Sequence, residues 1–116
     1  ETTAKNASAT LGCDVSMELR PGYPPTLNHE SDALFARDII TDMLGADGLE
    51  ISMTPVMGAE DFSFMLKKKP GAYIWLGAGL QSENLHSPHF DFNDDLLPIG
   101  ASFWVQLAQS KLTQST

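Results

Sequence analysis

The chain has 116 residues, 42% apolar and 19% charged, a balance that suits one soluble globular domain with a modest core. Its 15 acids against 7 bases give a formal net charge of -8, which argues against a nucleic-acid phosphate backbone as partner. No apolar run approaches the roughly 20 residues that span a bilayer, and no basic stretch leads into an apolar one as in a secretory signal, so a cytoplasmic protein without membrane contact is expected.

Glu1-Thr2-Thr3-Ala4 opens without a methionine and runs at once into a helical pattern in which Ala4, Ala7 and Leu11 share a face. Gly12 is placed to stop that helix. No capping residue precedes it, so the chain is expected to begin inside an element, as a fragment of a longer polypeptide would. Cys13 is the only cysteine, which removes any disulfide framework or CxxC metal knuckle, and a buried structural thiol is expected. Val15, Met17 and Leu19 alternate with Asp14, Ser16, Glu18 and Arg20, the pattern of a strand with one wet face. Pro21-Gly22-Tyr23-Pro24-Pro25 then forms a stiff crossing between domains.

Beyond Asn28, Ser31 and Asp32 offer N-cap and first-turn chemistry for a helix ending near Leu44 and Gly45. Phe35, Ile39 and Met43, with Ala36, Ile40 and Leu44 beside them, give it a wide apolar stripe. Ile51 to Val56 reads as a short strand, with Pro55 marking an edge or its end. Gly58-Ala59-Glu60-Asp61-Phe62-Ser63 starts another helix with acids in its first turn, and Lys67, Lys68 and Lys69 gather at its end, both favoured by the macrodipole. Ala72-Tyr73-Ile74-Trp75-Leu76 is an apolar run of strand length that leads into Gly77-Ala78-Gly79. Pro98 suits the first turn of a closing helix that runs to about Leu112. Ile99, Phe103 and Leu107 share one side of it, broadened by Trp104 and Ala108. Thr113 to Thr116 reads as a frayed tail. The order of elements fits an α/β domain preceded by the last pieces of another unit.

Chemistry concentrates in Leu85-His86-Ser87-Pro88-His89-Phe90-Asp91-Phe92-Asn93-Asp94-Asp95, where 2 histidines and 3 aspartates surround a proline that forbids a regular helix. His86 can serve as a metal ligand, a general base or a loop histidine with no task, and His89 has the same choices. Asp91, Asp94 and Asp95 suit turns and helix caps as well as ligation. Glu60 and Asp61 read either as a working carboxylate pair or as helix-terminal acids. Catalytic zinc takes three protein ligands and keeps an open position, and the chain has neither HExxH nor a second His/Cys cluster. If His86 binds a catalytic metal, the other donors come from elsewhere.

Four ordered motifs carry a resemblance: Gly58-Ala59-Glu60-Asp61-Phe62-Ser63, Pro70-Gly71-Ala72-Tyr73 with Leu76-Gly77, Leu85-His86-Ser87-Pro88, and Leu97-Pro98-Ile99-Gly100. Together with Tyr23-Pro24-Pro25 and Asn28, they resemble the C-terminal part of M20-type metallo-amidohydrolases. The branch is that of hippurate hydrolases, N-acyl-amino-acid amidohydrolases and plant auxin-conjugate hydrolases. The resemblance implies an α/β fold, with residues 27–116 the C-terminal portion of a metallo-aminopeptidase-like catalytic domain. Residues 1–26 would be the last helix and strand of an α+β lid that often makes the dimer contact. It implies hydrolysis of an N-acyl amino acid by water activated at two divalent ions (Zn, Mn, Co or Ni), with a glutamate as general base.

Carried over residue by residue, His86 falls on a metal ligand. Glu60 and Asp61 fall on an acidic pair that shapes the site or contacts substrate, and Asn28 falls at the domain crossing. No ligand role carries over to His89. The upstream cysteine-and-histidine metal motif, the glutamate pair containing the base, another histidine ligand and the lid histidine have no counterpart here. The isolated chain is therefore expected to be inactive, to need the missing N-terminal part of its polypeptide, and to form a homodimer only at full length. The rival expectation is a non-catalytic binding or regulatory module derived from the same fold.

Overall fold

Two glycines end two of the helices. The computed structural model describes residues 1–113; residues 114–116, most of the expected tail, lie outside the described residues. Helix α1 covers Thr2–Thr10, and just beyond it Gly12 takes a left-handed φ of 68°. There the Gly12 and Cys13 amides donate to the Ala9 and Ser8 carbonyls at 3.1 and 2.9 Å, satisfying the last turn. Helix α2 covers Glu30–Leu44 and stops at Gly45, whose φ is 76°. A 3₁₀ turn, Ala46–Gly48, follows directly. Helix α3 is short, Phe62–Leu66, and helix α4 covers Leu96–Thr113.

The expected helices form, with corrections at their starts. His29, not Ser31, holds the N-cap position of α2, and Glu30 and Asp32 occupy its first turn. Glu60 and Asp61 precede α3 instead of lying within its first turn, while Lys67, Lys68 and Lys69 follow it as expected. Helix α4 starts before Pro98, which sits third in the helix, where a missing N–H costs nothing.

The core lies where α2 meets α4. Ala36, Ile39 and Phe103 are buried together, and Phe35, Ile40, Met43 and Leu107 pack around them. These are the stripe residues of α2 and one face of α4. The Lys111 ammonium sits 4.9 Å from the centre of the Phe35 ring. At the other end Met43 and Leu44 share a shallow cavity with Pro98 and Ile99. The late turns of α4 thus meet the early turns of α2, and the pair is antiparallel. The face of α4 expected to be broad is narrower than that: Phe103 is 7% exposed but Trp104 is 64% exposed. Helix α1 packs on no other described helix and buries no residue.

The three expected strands are the main correction. No described residue is in a β-strand, so 14–20, 51–56 and 72–76 form no sheet and the α/β expectation is not met within this chain. Alternation or an apolar run selects a face, but a strand also needs a neighbour to receive its N–H and C=O groups. These three segments do not pair with one another. Cys13, expected to be buried beside the first of them, is exposed.

The segment 71–78 is nevertheless fastened at both ends. Near its start, the His29 amide donates to the Gly71 carbonyl at 3.0 Å. At its end, the Asn93 amide nitrogen donates to the Ala78 carbonyl at 3.2 Å. Leu76 lies over Gly100 of α4, its Cδ2 atom 3.7 Å from where a Cβ would stand. His29 precedes α2 and Asn93 precedes α4, so in an antiparallel pair the fastenings lie at opposite ends. A helix of 15 residues such as α2 is about 22 Å long, and the seven steps from 71 to 78 reach at most about 24 Å. The segment must therefore run nearly extended along the helix pair, with the reach of a strand and no ladder.

The chain as a whole is spread out. Its radius of gyration is 21.0 Å, whereas a closed domain of this length has about 13 Å. Phe103 carries the principal contact, so Phe103→Ala should cost about 3 kcal/mol or more, and Trp104→Ala less than about 1 kcal/mol. Chemical denaturation followed by helical circular dichroism checks the order; a reversed order would mean that α4 packs by its other face.

Candidate functional site

Tyr73 gathers the residues nominated upstream. The Asn28 side-chain amide does for Tyr73 what a neighbouring strand would do. Its Nδ2 donates to the Tyr73 carbonyl at 2.9 Å, and its Oδ1 accepts from the Tyr73 amide at 2.7 Å. Next to this clasp, the Gly71 amide donates to His29 Nδ1 at 3.3 Å. Asn28 thus has a definite task at the crossing, and His29 and Tyr73 are participants that residue type alone did not single out. The signal for Tyr73 was its place in the Pro70-Gly71-Ala72-Tyr73 motif.

The Tyr73 hydroxyl reaches Glu60 Oε2 at 2.9 Å, while Glu60 Oε1 accepts the Phe62 amide at 3.2 Å. The Phe62 ring lies 5.5 Å from Tyr73, and Trp75 lies edge-on to Tyr73 at 6.0 Å. Hydrogen bonds to the charged form lower the Glu60 pKa, first from the Phe62 amide, then from the Tyr73 hydroxyl and then from Asp61. The Tyr73 pKa is raised, chiefly because its hydroxyl hydrogen-bonds Glu60. A carboxylate held in this way is a weak base, and its arrangement suits holding the loop ahead of α3 against Tyr73. Asp61 is exposed at the N-cap position of α3 and makes no side-chain cap bond. The nominated pair stays together: Glu60 is held by Phe62 and Tyr73, and Asp61, although exposed, also hydrogen-bonds Glu60.

The signs of the two shifts bound a pH window. Glu60 favours the fold above the ordinary glutamate range, and this is lost as pH falls through its lowered pKa. Tyr73 favours it below the ordinary tyrosine value, and this is lost as pH rises through its raised pKa.

His86 stands apart from this assembly. The Ser87 amide donates to the Asn84 carbonyl at 3.0 Å, closing a four-residue turn. His86 occupies the third place of that turn with φ 70°, the one non-glycine residue at positive φ among the described residues. Histidine visits this region more readily than most residues, yet the conformation still carries strain of about 1–2 kcal/mol. The imidazole is exposed. A second turn brings the Phe90 amide to the Ser87 carbonyl at 3.1 Å, with the His89 amide on Ser87 Oγ at 3.2 Å. Asp91, Asp94 and Asp95 are exposed; just ahead of α4, Asn93 Oδ1 accepts the Asp95 amide at 3.1 Å.

With this geometry in view, the comparisons decide the family. Peptidase family M20/M25/M40 matches residues 2–110, and the chain belongs to it. It is 38% identical over 100 residues to IAA-amino acid hydrolase ILR1-like 5 of Arabidopsis thaliana, covering 83% of this chain and 23% of that protein. It is 35% identical over 97 residues to N-acetyldiaminopimelate deacetylase of Streptococcus suis, covering 82% and 25%. Against hippurate hydrolase of Campylobacter jejuni the identity is 35% over 88 residues, covering 73% and 22%. The chain thus spans about a quarter of the length of these relatives. No solved structure matches it.

The family implies a divalent metal. Among the described residues, no three His, Cys, Asp or Glu side chains form a group able to hold one. His86 is an exposed imidazole without a hydrogen-bond partner among those residues, and it fits a single coordination position. The chain supplies at most part of a metal site.

Two measurements test this geometry. In Tyr73→Phe, the Glu60 carboxyl should titrate at a higher pH than in the unaltered chain by carbon-13 NMR. It should remain below the ordinary range, because the Phe62 amide is the larger cause. At position 86, glycine relieves the positive φ that alanine retains, so His86→Gly should unfold about 1 kcal/mol less readily than His86→Ala. Equal stability would mean that the turn relaxes when the imidazole is removed.

Proposed function

We propose that this chain is the C-terminal part of a metal-dependent amidohydrolase that cleaves the amide bond of N-acyl amino acids, hippurate-like amides among them. In this reading residues 1–26 end a lid and dimerisation domain, and residues 27–116 complete the catalytic domain. The protein works in the cytoplasm as a homodimer at full length, and the 116 residues alone are inactive. The observation that carries the reading is the family match across residues 2–110. Three relatives of that family bear names that denote removal of an acyl group from an amino acid.

His86 is the one residue here assigned to the metal centre. Its turn presents the imidazole to solvent free of competing hydrogen bonds, as a donor to an incoming ion requires. When bound, a pair of divalent ions would supply Lewis acidity and an activated water; the remaining donors come from outside this sequence. Glu60 is given a shaping role: it locks the start of α3 to Tyr73, and its lowered pKa disfavours it as a proton acceptor. Asp61, exposed beside it and hydrogen-bonded to it, completes the acidic pair that shapes the site or contacts substrate. No described helix is long and apolar enough to cross a membrane.

The test is hydrolysis of hippurate and a panel of N-acyl amino acids by the full-length polypeptide, with bound metal measured in parallel, before and after His86→Ala. Metal-dependent turnover that falls at least 100-fold, with less metal retained, is expected. Unchanged metal content and turnover would remove His86 from the centre. Absence of turnover in the unaltered protein across the panel would overturn the substrate assignment.

A further inference from the structure

The loop that carries His86 is built from local turns and has no buried residue. Ser82 donates to Gly79 at 3.2 Å, Ser87 to Asn84 at 3.0 Å, and Phe90 to Ser87 at 3.1 Å. Each bond closes four residues, and none joins the loop to another part of the fold. What joins the two ends of the loop is Asn93. Its Nδ2 donates to the Ala78 carbonyl, 15 residues back in the chain, and its Oδ1 accepts the Asp95 amide at the start of α4. Asn93 is half-buried, whereas His86 is exposed. One side chain therefore fixes the ends of the loop to each other and to a helix seated in the core.

We propose that Asn93 is a positioning residue for His86, setting where the imidazole stands relative to the metal centre. The inference rests on the reading of His86 as a metal donor. A turn with a strained residue at its third place keeps its own shape, but it does not aim itself. Its aim comes from the points where the loop meets the fold, and Asn93 defines both. Without the bond to Ala78, the loop would hinge about its start at residue 79 while the imidazole kept its local conformation. A ligand that samples many directions binds more weakly, because its ordering must then be paid from the binding energy.

The two halves of the amide can be separated. Asn93→Asp keeps an acceptor for the Asp95 amide, and aspartate caps as well as asparagine, but it has no donor for the Ala78 carbonyl. Asn93→Ser keeps a capping hydroxyl too short to span to residue 78 and adds no charge beside Asp94 and Asp95. In the full-length protein, Co²⁺ affinity is measured by chelator competition, and amide exchange by mass spectrometry over residues 79–92 and α4. Both variants should weaken Co²⁺ binding about tenfold, the lower end for residues that orient a ligand, and speed exchange in 79–92 while α4 stays protected. His86→Ala should weaken Co²⁺ more than either.

Unchanged Co²⁺ affinity in both variants, with the metal lost in His86→Ala, would overturn the positioning role and leave the metal reading intact, whether or not the loop exchanges faster. Metal retained by His86→Ala would overturn the reading on which the proposal rests. Loss of protection in α4 in both variants would show that the cap, not the tie to Ala78, is what matters, and would overturn the proposal as well.

Discussion

The seat of Phe103 against Ala36 and Ile39 is the contact on which the rest of this structure depends. Among the described residues it is the one place where two long helices bury apolar surface against each other, and it sets them antiparallel. Burying an aromatic ring contributes on the order of 2–3 kcal/mol, a large share of what so small a core can supply. The hydrogen-bonded fastenings of the chain then hang from the ends of this pair. Asn28 and His29, just before α2, hold residues 71 and 73. Asn93, just before α4, holds residue 78. Each helix brings such residues because the chain enters it through a turn whose polar side chains are available to bond elsewhere.

The two fastened ends differ in chemistry. At the α2 end, Tyr73 is bound through its amide, its carbonyl and its hydroxyl, and the hydroxyl holds a carboxylate that also takes a backbone amide. Every partner there is committed, so the assembly is rigid and its acid is a poor proton acceptor. At the α4 end, the loop bears an imidazole with no partner and a strained backbone beneath it. Strain retained at an uncommitted polar side chain is a pattern of functional sites, where the surroundings hold a conformation that local energetics disfavour. The two ends thus differ in kind: one holds a committed acid, the other an uncommitted imidazole.

Much apolar surface remains uncovered. The accessible area is 9960 Å², against roughly 6,200 Å² for a closed protein of this mass. Val15, Met17, Leu19, Ile74, Trp75 and Trp104 all contribute to the difference. The same feature explains why the strand patterns were legible and yet produced no sheet. The alternation at 15–19 and the apolar run at 72–76 are real sequence signals about which side chains are to be covered. Pairing is a property of two segments, and neither finds its complement among the described residues. The helical stripes faced no such obstacle, because a helix satisfies its backbone internally and asks its neighbour only for apolar contact. Ala36, Ile39 and Phe103 were therefore legible as core before any fold was known. Trp104 lies outside the core because a period places residues on a face without saying how wide the facing surface is. Ser31 yields the N-cap position to His29 because residue preference only ranks candidates, whereas the entry geometry of the chain selects one.

The candidate site divides along the same line. Residue order by itself determined the family: four motifs in sequence, with Asn28 at the crossing, nominated Glu60, Asp61 and His86 and led to peptidase family M20. It also determined the helices and the glycines that end two of them, since these depend on neighbours within a few residues. Only the tertiary structure decided that Asn28 stands in for a strand, that Glu60 is bound by Tyr73, that Cys13 lies in solvent, and that Asn93 closes the loop of His86. Each of these joins a side chain to an atom 13 to 45 residues away or exposes one by leaving it without a neighbour. Distances of that kind are set by how α2 and α4 pack, and no local pattern encodes them.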